Sequence, residues 1–117
     1  MPHVVIEYSK PIAETVDIEA IIHLLHHRMI DSGLFNAPDI KTRAYAADYF
    51  SVGTMGQDGS FVHVNVSILH GRTLEQRETL VNALLDSIRE PLHLVDQVTI
   101  NIHEMARETY RKSIRNS

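Results

Sequence analysis

Apolar and polar positions alternate over residues 3–8: Val4, Ile6 and Tyr8 fall on one side, His3, Val5 and Glu7 on the other. That period-2 pattern predicts a strand, and Pro11 ends it. From Ile18 the period changes. Ile18, Ile21, Ile22, Leu25 and Met29 form one stripe of an amphipathic helix, with Asp17 as its N-cap and Gly33 at its C-terminal stop. After a loop containing Pro38, a second strand is predicted over about residues 40–50, where Lys41, Arg43, Tyr45, Ala47 and Tyr49 share one face. Gly53, Gly56 and Asp58-Gly59 mark turns. The clearest strand runs from Phe61 to Leu69, with Val62, Val64, Val66 and Ile68 on one face. Thr73-Leu74-Glu75-Gln76 has the form of a capping box. It opens a helix whose expected stripe is Leu74, Val81, Leu84, Leu85 and Ile88, stopped by Pro91. A fourth strand is expected over Val98–Glu104, followed by a basic arm, residues 105–117, carrying Arg107, Arg111, Lys112 and Arg115.

The pattern repeats. From His3 to Ile40 and from Phe61 to Val98 the step between strand starts is 37 residues. Each half is strand, helix, strand, a unit that makes its two strands parallel through a right-handed crossover. Two such β-α-β units predict an α/β (α+β) fold, a four-stranded mixed sheet with both helices on one face. The expectation is one domain over residues 1–117, with repeats at about 2–50 and 60–104. The uncovered face would show His63, Asn65, Ser67, Thr99, Asn101 and His103 beside Val5 and Phe61. It is too mixed for a core and too apolar in places for water, so packing against sister subunits in a ring is expected.

Composition narrows the function. The 117 residues are 44% hydrophobic with a net charge of −4, and there is no cysteine. A length of this order suits one domain. Thiolate catalysis, disulfides and Cys-based zinc sites are excluded. The acidic balance argues against a nucleic-acid partner. The apolar runs are too short for a membrane span, and no signal-peptide pattern opens the chain. A cytoplasmic protein without membrane or nucleic-acid partners is expected.

The candidate chemistry starts at Pro2. If Met1 is removed, Pro2 carries a secondary amine on a stiff ring at the head of a strand. An α-amine ordinarily titrates near 7.7–8.0, and a secondary amine higher. Burial and nearby cations would lower it toward working pH, where a base is most efficient. Arg72, between Gly71 and a capped helix start, is a candidate for holding an anion; the plain alternative is a surface arginine. Lys41 and Arg43 share a face of the second strand, either as an exposed edge row or as a second cationic contact. His23 and His27 have i, i+4 spacing but no third ligand follows, so a solvated helix face is expected and no metal. His63 and His103 fit hydrogen-bonded sheet-face positions. His3 lies beside Pro2 in sequence but alternates to the other face.

Pro2 at the head of a twofold-repeated β-α-β chain resembles the tautomerase superfamily. Within it, Pro2-His3 with Glu7, the loop from Gly33 to Ile40, Arg43, Phe61-Val62-His63, and Gly71-Arg72 followed by Glu75 and Arg77 resemble the 5-carboxymethyl-2-hydroxymuconate isomerase family. The likeness runs through roughly the first nine-tenths of the chain. It implies a homotrimer, no cofactor, Pro2 as the proton-transferring base, and Arg43, Arg72 and Lys41 as carboxylate contacts. Where the family pattern tends to have arginine, this chain has Lys41, which keeps the charge but loses the bidentate fork. The implied reaction converts a carboxylated 2-hydroxymuconate to its 2-oxo isomer in the catabolism of hydroxyphenylacetates. The rival readings are a smaller enol or 2-keto acid as substrate, or a non-enzymatic binding trimer.

Overall fold

The computed structural model describes residues 1–115. Four strands form one sheet: β1 (His3–Ser9), β2 (Lys41–Ala47), β3 (Phe61–Leu69) and β4 (Gln97–Met105), in the order β2-β1-β3-β4. β1–β2 and β3–β4 pair in parallel, and β1–β3 antiparallel. Helix α1 (Ile18–Asp31) links the first parallel pair and α2 (Leu74–Arg89) the second. The repeat in the sequence is therefore two β-α-β units joined back to back through their first strands.

Local chemistry sets the helix ends. The Asp17 carboxylate accepts the Ala20 N–H at 3.2 Å, satisfying one orphan donor of the first turn. Gly33, at φ 70°, takes the left-handed conformation after Ser32. Thr73 and Gln76 form a reciprocal capping box, with Gln76 N–H on Thr73 Oγ1 at 3.1 Å and Thr73 N–H on Gln76 Oε1 at 2.9 Å. Both helices cover one face of the sheet. Val4 and Ile6 of β1 and Val62, Val64, Val66 and Ile68 of β3 are buried there against Ile21, Leu25 and Met29 of α1 and Leu80, Leu84 and Ile88 of α2. Each such side chain contributes about 1.5–3 kcal/mol by leaving water.

Two expectations need correction. β2 ends at Ala47 rather than near Phe50. Its pairing partner stops first: Ser9 pairs with Ala47, and Pro11 then enters a 3-10 turn over Lys10–Glu14. Tyr49, beyond the last rung, is 96% exposed. In α2 the buried stripe is Leu80, Leu84 and Ile88, whereas Leu74 is 61% exposed and Val81 and Leu85 are half-buried. Leu74 lies six residues before Leu80, about 120° round the helix from it, so it turns away from the sheet. The basic arm contains a 3-10 turn, Arg107–Thr109, and is otherwise irregular to residue 115; its last two residues lie outside the described residues.

Opposite the helices the sheet is uncovered. Across it run the rows Lys41, His3, Ser67, His103 and Arg43, Val5, Asn65, Asn101. His63 Nδ1 and Thr99 Oγ1 are hydrogen-bonded at 2.7 Å on this face. The Asn65 Oδ1 atom is buried without a donor. Among the described residues no helix is long and apolar enough to cross a membrane.

Candidate active site at the head of the first strand

Pro2 is buried immediately before β1. Its carbonyl accepts the Lys41 N–H at 3.1 Å, so the start of β2 pins it on one side. On the other side β3 runs antiparallel, with Ser67 opposite His3, and the chain leaves β3 through His70-Gly71-Arg72. Residue 2 is thus held between the entry of one neighbouring strand and the exit of the other.

Charges converge on this point. The α-amine at Met1 is held below the ordinary value, first by burial; Asp39 acts in the opposite direction, and Arg72, Lys41 and Lys112 lower it further.

The Arg72 guanidinium is oriented by the fold. It donates to Leu34 O at 2.7 Å and to Leu69 O at 3.4 Å, and its Cζ lies 4.7 Å from the centroid of the Phe35 ring. These contacts join the end of α1 to the exit of β3 and hold the cation beside residue 2 without cancelling its charge. Lys41 bends back to donate to Asp39 O at 2.8 Å.

Arg43 lies two residues further along β2 than Lys41, on the same uncovered face and level with Val5. Its Nη1 donates to His3 Nδ1 at 3.2 Å. Arginine has no acceptor, so Nδ1 is the unprotonated nitrogen and Nε2–H donates to Tyr110 Oη at 3.0 Å. The His3 imidazole is held below its ordinary value by burial first, then by Arg43, Lys41 and the N-terminus. Of the residues expected from sequence, Pro2, Lys41 and Arg72 come together, and Arg43, further along the face that carries Lys41, is linked to them through His3.

Three participants have no sequence signal of their own. Asp39 ends the 3-10 turn Ala37–Asp39, just ahead of β2. Tyr110 and Lys112 come from the arm, where composition shows only scattered basic residues. Lys112 Nζ donates to Asp39 Oδ1 at 3.2 Å. Burial raises the Asp39 carboxyl, but the bond and charge of Lys112, with the N-terminus and Lys41, outweigh it and hold the group below its usual range.

The remaining expected groups do other work. Arg77 pairs with Glu104 at 3.6 Å, tying α2 to β4. His26 Nδ1 is hydrogen-bonded to Thr42 Oγ1 at 2.8 Å, while His23 and His27 are exposed on α1. Among the described residues no three His, Asp or Glu side chains are grouped to hold a metal.

This geometry can be set beside known proteins. The model of a family described as 5-carboxymethyl-2-hydroxymuconate isomerase matches residues 2–113. A 5-carboxymethyl-2-hydroxymuconate Delta-isomerase of Escherichia coli is 27% identical over 89 residues, which span 76% of this chain and 71% of that protein. The crystal structure of a 5-carboxymethyl-2-hydroxymuconate isomerase from Deinococcus radiodurans R1 superposes with a TM-score of 0.88 at 20% identity, covering 97% of this chain and 90% of the other. A crystal structure of a 5-carboxymethyl-2-hydroxymuconate delta-isomerase does so at 0.85 and 23% identity, over 99% and 89%. At these identities the two superpositions speak for the fold.

Proposed function

The chain belongs to the 5-carboxymethyl-2-hydroxymuconate isomerase family, and from that premise we propose that Pro2 is the group that carries the proton. The enzyme is an isomerase that moves a carbon–carbon double bond within its substrate. The supporting observation is Pro2 itself: buried at the head of β1, pinned through its carbonyl, with Lys41 and Arg72 close enough to act on the terminal amine.

Once Met1 is removed, the neutral Pro2 amine takes the 2-hydroxyl proton of 5-carboxymethyl-2-hydroxymuconate. Electrons shift through the dienolate, and the resulting ammonium returns a proton to the distal carbon of the diene. One O–H and one C=C are lost, one C=O and one C–H are gained, and the 2-oxo-3-ene isomer leaves with the atom count unchanged. Arg72 and Lys41 hold carboxylate and favour the negative charge that develops on the dienolate. Arg43 supplies a cation on the uncovered face, where a neighbouring subunit would meet it. We place the reaction in the cytoplasmic catabolism of 4-hydroxyphenylacetate and homoprotocatechuate. We propose a homotrimer, and the mixed, uncovered sheet face supports packing against sister subunits.

A Met1–Pro2 peptide bond would make the Pro2 nitrogen an amide with no useful basicity, so the N-terminus must be verified by intact mass. With processing confirmed, Pro2→Ala is expected to lower kcat by about 10²–10⁴-fold, the range associated with a positioned acid–base group. Full turnover in that variant would remove Pro2 from the mechanism.

A further inference from the structure

The C-terminal arm is fastened at three points. Arg107 Nε donates to His70 O at 2.6 Å, at the exit of β3. Tyr110 Oη accepts from His3 Nε2 at 3.0 Å, at the start of β1. Lys112 Nζ donates to Asp39 Oδ1 at 3.2 Å, at the entry to β2. These are the three elements that surround residue 2. Gly71 fits the first fastening: its φ is 137°, and an added Cβ there would lie 3.3 Å from Arg107 Nη2. The arm therefore lies across the head of the sheet as a strap.

The third fastening is the one with chemistry in it. Lys41 from β2, Arg72 from the β3 exit, Lys112 from the arm and His3 with Arg43 across β1 put positive or neutral groups around the N-terminus. Against them stands the Asp39 carboxylate, which acts on the terminal amine in the opposite direction. Left alone, Asp39 would favour the ammonium form and weaken the base. Lys112 sits on that carboxylate; Asp39 is 17% exposed at the side chain and Lys112 42%.

We propose that residues 107–112 are a positioning element of the active site: Arg107 and Tyr110 clamp the arm so that Lys112 pairs with Asp39 and offsets its charge at the terminal amine. The inference rests on the reading of Pro2 as the base for its functional meaning, but the electrostatic arrangement can be tested without turnover. Lys112 acts on the amine in two ways, by its own charge and through its bond to Asp39.

The test is a titration of the Pro2 amine by its 15N shift in full-length, N-terminally processed protein, alongside the pH dependence of kcat/KM. Lys112→Gln unmasks Asp39 and removes a cation, both of which favour the ammonium. The amine midpoint should rise by about half a pH unit, a shift suited to a partly exposed pair. The acid limb of kcat/KM should move up with it. Lys112→Arg should restore the original midpoint. In an Asp39→Asn background, Lys112→Gln should keep only the part that comes from the lost cation and so move the midpoint less. A midpoint unmoved by Lys112→Gln, or moved equally with and without Asp39, overturns the proposal. If the amine moves as expected while the kcat/KM limb does not follow it, the strap stands and Pro2 is not the base.

Discussion

At the scale of single residues, His3 shows how position converts a common side chain into a fixed one. Its neighbour in sequence is the proposed base, yet strand alternation turns it to the other face, where Arg43 fixes its tautomer and Tyr110 accepts its Nε2–H hydrogen bond. Because Arg43 occupies Nδ1, protonating the ring means breaking a bond and adding charge beside a cation. The folded midpoint lies below the ordinary imidazole value, so between the two midpoints the unfolded chain binds more protons than the folded one. Stability should therefore fall as pH drops from about 6.5 toward the folded midpoint, and level off below it. His3→Gln should flatten that part of the profile, which urea midpoints measured across the range would show; an unchanged slope would assign the acid sensitivity elsewhere. Pro2 and Lys41 were legible from sequence because each sits at a strand start marked by local pattern. Tyr110 and Lys112 were not, since their partners lie 107 and 73 residues away and the arm has no periodicity to announce a face.

The elements differ in how much of them is locally encoded. The capping box at Thr73 and Gln76 depends on four consecutive residues, and it forms as written. Thr73→Ala removes one side of it and leaves the Gln76 N–H without its acceptor. A loss of about 1 kcal/mol in chemical unfolding is expected, with little change in kcat if the effect stays in the helix. The end of β2, by contrast, is decided by another strand: Tyr49 continues the alternation perfectly well, but β1 has already turned away at Pro11. The stripe of α2 departs from the sequence pattern at Leu74 for a related reason. A helix has several apolar residues to offer, and the sheet chooses which of them to bury. The strand β3 was read to the residue because its four-valine-like face, Val62, Val64, Val66 and Ile68, leaves only one register that hides it.

On the scale of the whole molecule, the two β-α-β units repeat their junctions as well as their order. Lys41 N–H donates to Pro2 O at 3.1 Å in the first, and Gln97 N–H donates to Ser60 O at 3.2 Å in the second. Ser60 thus occupies the place in the second unit that Pro2 occupies in the first. There the backbone is continuous: the Ser60 N–H and hydroxyl both donate to Asp96 Oδ2, at 2.8 and 3.0 Å. The near-symmetric fold offers two equivalent corners, and a peptide bond has used up the nitrogen in one of them. The consequence is a stoichiometry. An assembly of three chains presents six such corners but only three backbone amines, on one rim of each chain and never on the other. Native mass spectrometry should find three chains, and peptide mapping after treatment with an amine-directed inactivator should find one label at the Pro2 nitrogen of each, with a single-chain mass or an unlabelled Pro2 counting against this arrangement.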